Sequence, residues 1–263
     1  MYSRHDLAAQ ARDLGVRDGD LVMVHASVRA VGPVAGGPDQ IHLALKDAAG
    51  ASGSLLMYAS CPDGYDEVGR GVHPPAIEAE LRAKLPPFDA RTARSQRDNG
   101  ALVELLRTWP GVIANHHVAR FVCRGPHAAR LFSTQPWDLP FGRGSALGHF
   151  VDLDGRILLV GSDHDAVTFL HYAEHIVDVP DKRLVRYQVP VLENGERVWR
   201  WCSEFDTAHP AHARWPEALF RDITDAHLAA TRNVGGRIGD AQSHLIDAGA
   251  LLADALDTMR RLA

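Results

Sequence analysis

The chain of 263 residues holds only three cysteines, Cys61, Cys123 and Cys202, and no C-x-x-C pair. An odd, scattered set offers neither a disulfide framework nor a thiolate zinc site, so a reducing, cytoplasmic setting is expected. No run approaches the roughly 20 apolar residues that cross a bilayer. The opening MYSRHDLAAQARDLG has the period of an amphipathic helix rather than the regions of a signal peptide. No membrane partner is expected. Basic residues are also in deficit: 28 Lys and Arg stand against 33 Asp and Glu, a net charge of -5. That balance argues against a nucleic-acid partner and mildly favours cationic ligands. Neither G-x-x-x-x-G-K-[S/T] nor G-x-G-x-x-G occurs, so nucleotide hydrolysis and dinucleotide binding both lack their fingerprints. Repeats, low-complexity tracts and linkers are missing too, and residues 1 to 263 read as one domain.

What is present is core-forming, with 46% hydrophobic residues. DLVMVHA (20 to 26), SLLMYAS (54 to 60), ARFVCRG (119 to 125) and RILLVGS (156 to 162) are short apolar runs bounded by Gly, Ser or Asp, the pattern of buried strands. Apolar spacings of three and four predict helices over 39–49, 99–108, 126–133, 165–177 and 240–262. The stretch RLVRYQVPVLENGERVWRWCS predicts a hairpin about Asn194-Gly195. The sum is an α/β protein: a three-layer sandwich with a mixed, partly antiparallel sheet and the hairpin appended to that sheet.

Two stretches carry candidate chemistry. HASVRAVGPVAGG, residues 25 to 37, follows the first strand and is rich in Gly, Ala and Ser, so its backbone N–H groups can approach a phosphate. An ordinary strand-to-helix turn with a solvated Arg29 has the same composition. RILLVGSDHDAVTFLHYAEH, residues 156 to 175, contains His164, His171 and His175. His171, Glu174 and His175 spell H-x-x-E-H, which in a zinc hydrolase supplies two ligands on one helical face, with Glu174 as general base and a downstream carboxylate as third ligand. With fifteen histidines in the chain, the pattern also arises by chance. His164 fits no metal spacing but stands where a buried strand stops and a helix begins, a usual place for reactive side chains.

VHASVRAVGPVAGG, LLVGSDHDAVTFLHYAE, EFDT at 204 to 207 and the closing VGGRIGDAQSHLIDAGALLADAL together resemble the aminoglycoside 3-N-acetyltransferase family, in order and over nearly the whole chain. The resemblance implies a fold distinct from the common acetyltransferase superfamily. It also implies acetyl-coenzyme A as co-substrate, no metal, and as acceptor an aminoglycoside antibiotic with a 2-deoxystreptamine ring; a homodimer is compatible with it. Ahead of the third strand the family often carries Arg-Ser and then His-Pro, whereas this chain has Ala114-Asn115-His116-His117-Val118. A donor contact made through that pair is not carried over.

Under this resemblance His164 takes the place of a catalytic histidine, the general base that removes a proton from the mostly protonated amine. A carboxylate would fix its tautomer, and Glu204 is the candidate. Thr168 would contact the thioester sulfur, or else bond back within its helix. Asp165 reads as the N-cap of that helix. His25, Ser27, Val28, Arg29, Ala30 and Val31 form the donor loop, His25 being either near the acetyl group or a strand-end histidine satisfied by backbone. A polycationic acceptor calls for carboxylates. Asp206 is the first choice, followed by Asp63, Asp66 and Glu67 in an acidic loop, while Glu174 faces either the pocket or His171. A non-catalytic binder of a cationic ligand is the remaining alternative, and it has no use for a matched His and Glu.

Overall fold

Burial along the central strands alternates between two cores, and that alternation sets the architecture. The computed structural model describes residues 1–180, 182–206 and 215–263. In β1 (Leu21–Ala26), Leu21 and Met23 enter one core and Val22 and Val24 the other. The same division runs through β2 (Ser54–Tyr58), β4 (Phe121–Arg124) and β5 (Arg156–Val160), where Leu56, Phe121 and Ile157 face one way and Leu55, Val122 and Leu158 the other. A strand covered on both faces needs no polar side, which is why these segments read as unbroken apolar runs.

With β3 (Ile113–Ala114), β8 (Gly236–Ile238) and β9 (Ala241–Asp247), they build a seven-stranded sheet of order β3-β4-β2-β1-β5-β9-β8. The central trio β2, β1 and β5 is parallel, and β3, β4, β8 and β9 pair antiparallel at its flanks. One face is covered by α1 (Arg4–Asp13), α3 (Asp39–Ala49) and α5 (Ala101–Arg107), which contribute Leu7, Ile41 and Leu102. The other is covered by α6 (Ala128–Leu131), α7 (Ala146–Asp152), α8 (Leu170–Ile176), α9 (Leu219–Ala230) and α10 (Ala248–Leu262), through Leu131, Phe150, Leu170, Ile223 and Leu251. The three-layer sandwich with a mixed sheet is therefore as expected. Two further helices, α2 (Val28–Val31) and α4 (Pro75–Lys84), follow β1 and β2.

The hairpin forms as predicted but in a different place. Its strands β6 (Leu184–Glu193) and β7 (Glu196–Phe205) form a two-stranded sheet of their own, through the turn Asn194 (φ 51°) and Gly195 (φ 84°), with isolated bridges to Phe88 and Asp138, rather than extending the main sheet. Two left-handed residues in succession are the signature of a type I′ turn, which suits Asn-Gly. The hairpin instead rests on a third core, where Tyr187, Val189 and Cys202 meet Cys61, Tyr65 and Phe88.

Helical spacing misled at two points. The segment expected as helix over 240–262 is a strand to Asp247, because pairing with β5 claims it; α10 then starts with the Asp247 side chain accepting from Ala250 N–H. The segment expected as helix over 165–177 is broken into a 3-10 turn at His164–Ala166 and α8 from Leu170. The cap of that turn is Asp163, whose carboxylate accepts from Asp165 N–H at 3.3 Å, and not Asp165.

Candidate active site

A cleft of about 460 Å³ opens at the carboxyl ends of the three parallel strands. His25 and Ala26 end β1, Met57 and Tyr58 end β2, and Ser162 follows β5. Open α/β sheets place ligands there because helix starts and loops converge beyond the strand ends. Thr168, His171 and Phe220 form one wall, and Asp98, Asn99 and Gly100 another.

Of the three histidines in 156–175, His171 is the one that faces this space. Its Nδ1 lies 2.6 Å from Glu174 Oε2, one turn further along α8. A carboxylate accepts, so Nδ1 carries the hydrogen, and Nε2 has no hydrogen-bond partner among the described residues. The ring stacks on Phe141 at 5.2 Å and meets Phe220 edge-on at 4.9 Å. Burial opposes its charged form, but the bond to Glu174, the charge of Glu174 and the charge of Glu204 prevail and raise its pKa.

His164 does not line the cleft. Its Nδ1 is 2.5 Å from Asp225 Oδ1 on α9, and its ring packs edge-on against His244. The carboxylate paired with His164 is thus Asp225 and not Glu204. Glu204 binds the guanidinium of Arg70 and accepts from the Tyr187 hydroxyl at 3.2 Å. Beside His164, Arg221 joins the same corner to α9 by contacting both Asp163 and Asp165. Thr168 does line the cleft, though from the link before α8 rather than from the helix; its hydroxyl makes one long contact, 3.5 Å to Ala166 O.

The proposed acceptor carboxylates separate. Asp206 is engaged by Arg183, 3.6 Å from its Nε. Asp63 accepts from Gln96 at 2.8 Å, Asp66 lies 3.8 Å from Arg70, and Glu67 pairs with His73. Glu174 is buried under His171. None of these lines the cleft, but burial and the charges of Glu204 and Asp66 raise the pKa of Tyr58, which does. The acidic loop and β7 thus act on the site through charge rather than by contact. Thr207, the last residue of EFDT, lies outside the described residues.

The donor loop is only partly as expected. Ser27 N–H goes to Val160 O, and the N–H groups of Ala30 and Val31 both go to Ser27 O. Only Val28 and Arg29 keep unpaired amides within this stretch of the described residues. Val31 is fully buried, so its expected cofactor contact is replaced by a core role. His25 and Ser27 line the cleft. Burial lowers the His25 pKa to about 4, so its ring is neutral, and its Nε2 has no partner; the same holds for the Ser162 Oγ nearby. Unsatisfied buried polar atoms at the cleft floor fit a substrate that brings its own hydrogen-bonding groups, as the amides and thioester of acetyl-coenzyme A do.

The H-x-x-E-H stretch is not arranged as a zinc site. His175 donates Nδ1–H to His171 O at 2.8 Å and accepts from Phe205 N–H at Nε2, and burial lowers its pKa to about 4. Glu174 is committed to His171. Among the described residues no group of three His, Cys, Asp or Glu side chains is placed to hold a metal ion.

Asp98, Asn99 and Phe220 went unrecognised in the sequence. Gln-Arg-Asp-Asn-Gly reads as a turn before a helix, and only the fold shows that this turn faces His171. Phe220 carries no signal beyond its apolar spacing on α9.

Residues 23–260 match the family model described as aminoglycoside 3-N-acetyltransferase. The chain is 38% identical over 266 residues to aminoglycoside N(3)-acetyltransferase IX of Micromonospora chalcea, covering 97% of this chain and 90% of the relative. It is 38% identical over 239 residues to aminoglycoside N(3)-acetyltransferase III of Pseudomonas aeruginosa, covering 89% and 85%. Among solved structures, AAC-IIIb in a binary complex with CoASH superposes with a TM-score of 0.90 at 38% identity, covering 98% of this chain and 96% of that one. AAC-VIa bound to sisomicin superposes with a TM-score of 0.89 at 36% identity, covering 99% and 98%.

Proposed function

Because the chain belongs to the aminoglycoside 3-N-acetyltransferase family, we propose that it transfers the acetyl group of acetyl-coenzyme A to the 3-amino group of a 2-deoxystreptamine aminoglycoside, conferring resistance, with His171 as the general base. The observation that carries this assignment is the His171–Glu174 pair, with Nε2 free at the wall of the cleft. Asp225-bound His164 stands outside it.

The chemistry needs no acetyl-enzyme. The acceptor ammonium releases one proton to solvent as it binds, and His171 Nε2 takes a second from the nitrogen as the amine attacks the thioester carbonyl carbon. A C–N bond forms and the C–S bond breaks. The imidazolium, held by Glu174, returns the proton to the departing sulfur. Thr168, at the cleft wall, donates its hydroxyl to that developing thiolate on this reading. Neutral His25 and Ser162 offer polar contacts at the cleft floor to the donor. The acidic border formed by Asp66, Glu204 and Asp98 favours the approach of a polycation. The reaction runs in the cytoplasm on this reading. No helix among the described residues is long and apolar enough to cross a membrane.

Thiol release measured across a panel of aminoglycosides tests the proposal. Acetyl-coenzyme A turnover that depends on the aminoglycoside, and a product acetylated at the 3-amino group, are expected. Tight aminoglycoside binding without thiol release would make the chain a binder instead.

A further inference from the structure

Arg120 is wholly buried, and no carboxylate lies within ion-pair reach of it among the described residues. It sits at the start of β4, opposite the point where the chain leaves β2. Its Nε donates to Ala59 O at 2.8 Å, and its Nη1 donates to Ala90 O at 2.8 Å and to Ala93 O at 2.7 Å. Its guanidinium lies 5.4 Å from the Phe88 ring, while Nη2 has no partner. Its backbone takes part as well, Arg120 O accepting from Ala59 N–H. Burial, with Arg107 nearby, lowers the pKa to about 10, which leaves the group charged at neutral pH.

A buried cation facing three carbonyls is a costly way to fill space, and an apolar residue would fill it with less desolvation. What the guanidinium provides is a fork that can hold two separate chain segments at once. Those segments are the two ends of the long excursion from β2. Between them lie Asp63, Asp66, Arg70 and α4, and just beyond them come Asp98 and Asn99 of the cleft wall. Asn99 closes the same base from the cleft side, donating to Ser60 Oγ at 2.7 Å and Ser95 Oγ at 2.9 Å.

We infer that Arg120 is a positioning residue for the acceptor side of the site: it pins the carbonyls of Ala59, Ala90 and Ala93, and so fixes the loop that carries Asp66 and Arg70 and leads into Asn99 at the cleft wall. This rests on the proposed reading of that loop as the acceptor side. Among the described residues, no side-chain hydrogen bond joins Arg120 to the donor loop.

The test compares Arg120→Met and Arg120→Lys with the unaltered protein. Hydrogen exchange is read first, since it needs no activity. Amides of residues 60–95 should exchange roughly tenfold faster in Arg120→Met, with β1 and β5 unchanged. Uniform acceleration, or none, would overturn the positioning role. Steady-state kinetics are read second. The KM for the aminoglycoside should rise roughly ten- to a hundredfold, with the KM for acetyl-coenzyme A within about twofold, and Arg120→Lys should recover part of the loss. Both KM values rising together would overturn the inference. Faster loop exchange with an unchanged acceptor KM would keep the pin but overturn the acceptor-side reading of the loop. Should Arg120→Met fail to fold, Asn99→Ala removes the second clasp without touching a buried charge. It should give the same split between acceptor and donor KM, and an unchanged acceptor KM there would count against the inference.

Discussion

His171 and Glu174 stand one helical turn apart on α8, joined by a 2.6 Å hydrogen bond, with one member at the cleft wall and the other buried behind it. This is the relation between a base and the group that orients it, supplied within a single seven-residue helix.

Replacement of His171 by Asn should therefore lower kcat by on the order of 10² to 10⁴, the usual contribution of a positioned base, while aminoglycoside binding changes little. His164→Ala should keep turnover near the unaltered rate and show its effect in melting temperature, through the lost link to α9. Thiol-release kinetics with calorimetric binding of the aminoglycoside separate the two. A dead His164→Ala beside an active His171→Asn would overturn the assignment.

The same pair predicts a pH signature. The His171 pKa is raised, and a base works in its deprotonated form, so kcat/KM should climb with pH through a value above the ordinary histidine range. In Glu174→Gln the raising interactions from residue 174 vanish and burial remains, so the climbing limb should move to lower pH as kcat falls. A limb that stays in place while the rate drops would mean that another group is titrating.

His25, His117 and His175 each have pKa values lowered to about 4 by burial. They are neutral when folded and take up protons on unfolding below about pH 6.5. Their contribution to stability is thus intact above pH 6.5 and is lost as pH falls from there toward 4. With all three, the slope reaches at most about 4 kcal/mol per pH unit. Denaturation followed across this window should show the loss, and His117→Asn, though less stable at neutral pH, should lose stability less steeply.

Gly161 has φ of 59°, and a Cβ there would come within 2.5 Å of Ala30 Cβ and 3.0 Å of Ala241 Cβ. Gly161→Ala should push the donor loop outward, cost about 1–3 kcal/mol in stability and raise the KM for acetyl-coenzyme A more than that for the aminoglycoside. Equal shifts in both KM values would separate Gly161 from the donor loop.

Cys61, Cys123 and Cys202 are buried, and burial raises their thiol pKa values, to about 12 for the latter two. Cys202 does touch a histidine, His117, at 3.8 Å, but in the third core and away from the cleft. Each Cys→Ala variant should retain turnover, and intact-protein mass spectrometry under turnover should find no acetyl adduct.

The strands of the central sheet were legible because burial on both faces leaves an apolar run, and the hairpin because Asn-Gly dictates its own turn. The strand β9 was not, since Ala, Leu and Ile at 241–247 satisfy a helical spacing as readily as a strand pairing with β5. At the site, the stretch 156–175 was recognisable while the role of each histidine was not. Which of three histidines turns toward the cleft depends on where α8 begins, and that depends on the 3-10 turn at His164 interrupting the helix. The pairing of His164 with Asp225 spans 61 residues and leaves no mark in local pattern. Glu204 was chosen from its motif, and its partner Arg70, 134 residues earlier, leaves no more mark in local pattern.

The two-stranded hairpin shares no backbone ladder with the seven-stranded sheet. Strand register in the sheet fixes where β1, β2 and β5 end, and with them the floor of the cleft, while Glu204 hangs on a ribbon with a register of its own. Exposed side chains along β6 and β7 can consequently be exchanged without displacing His25 or Ser162, while Phe205 N–H ties the far end of the ribbon to His175 on α8. A library confined to the exposed positions of 184–201 would therefore vary the ribbon's outer surface with the sheet's strand ends held in place.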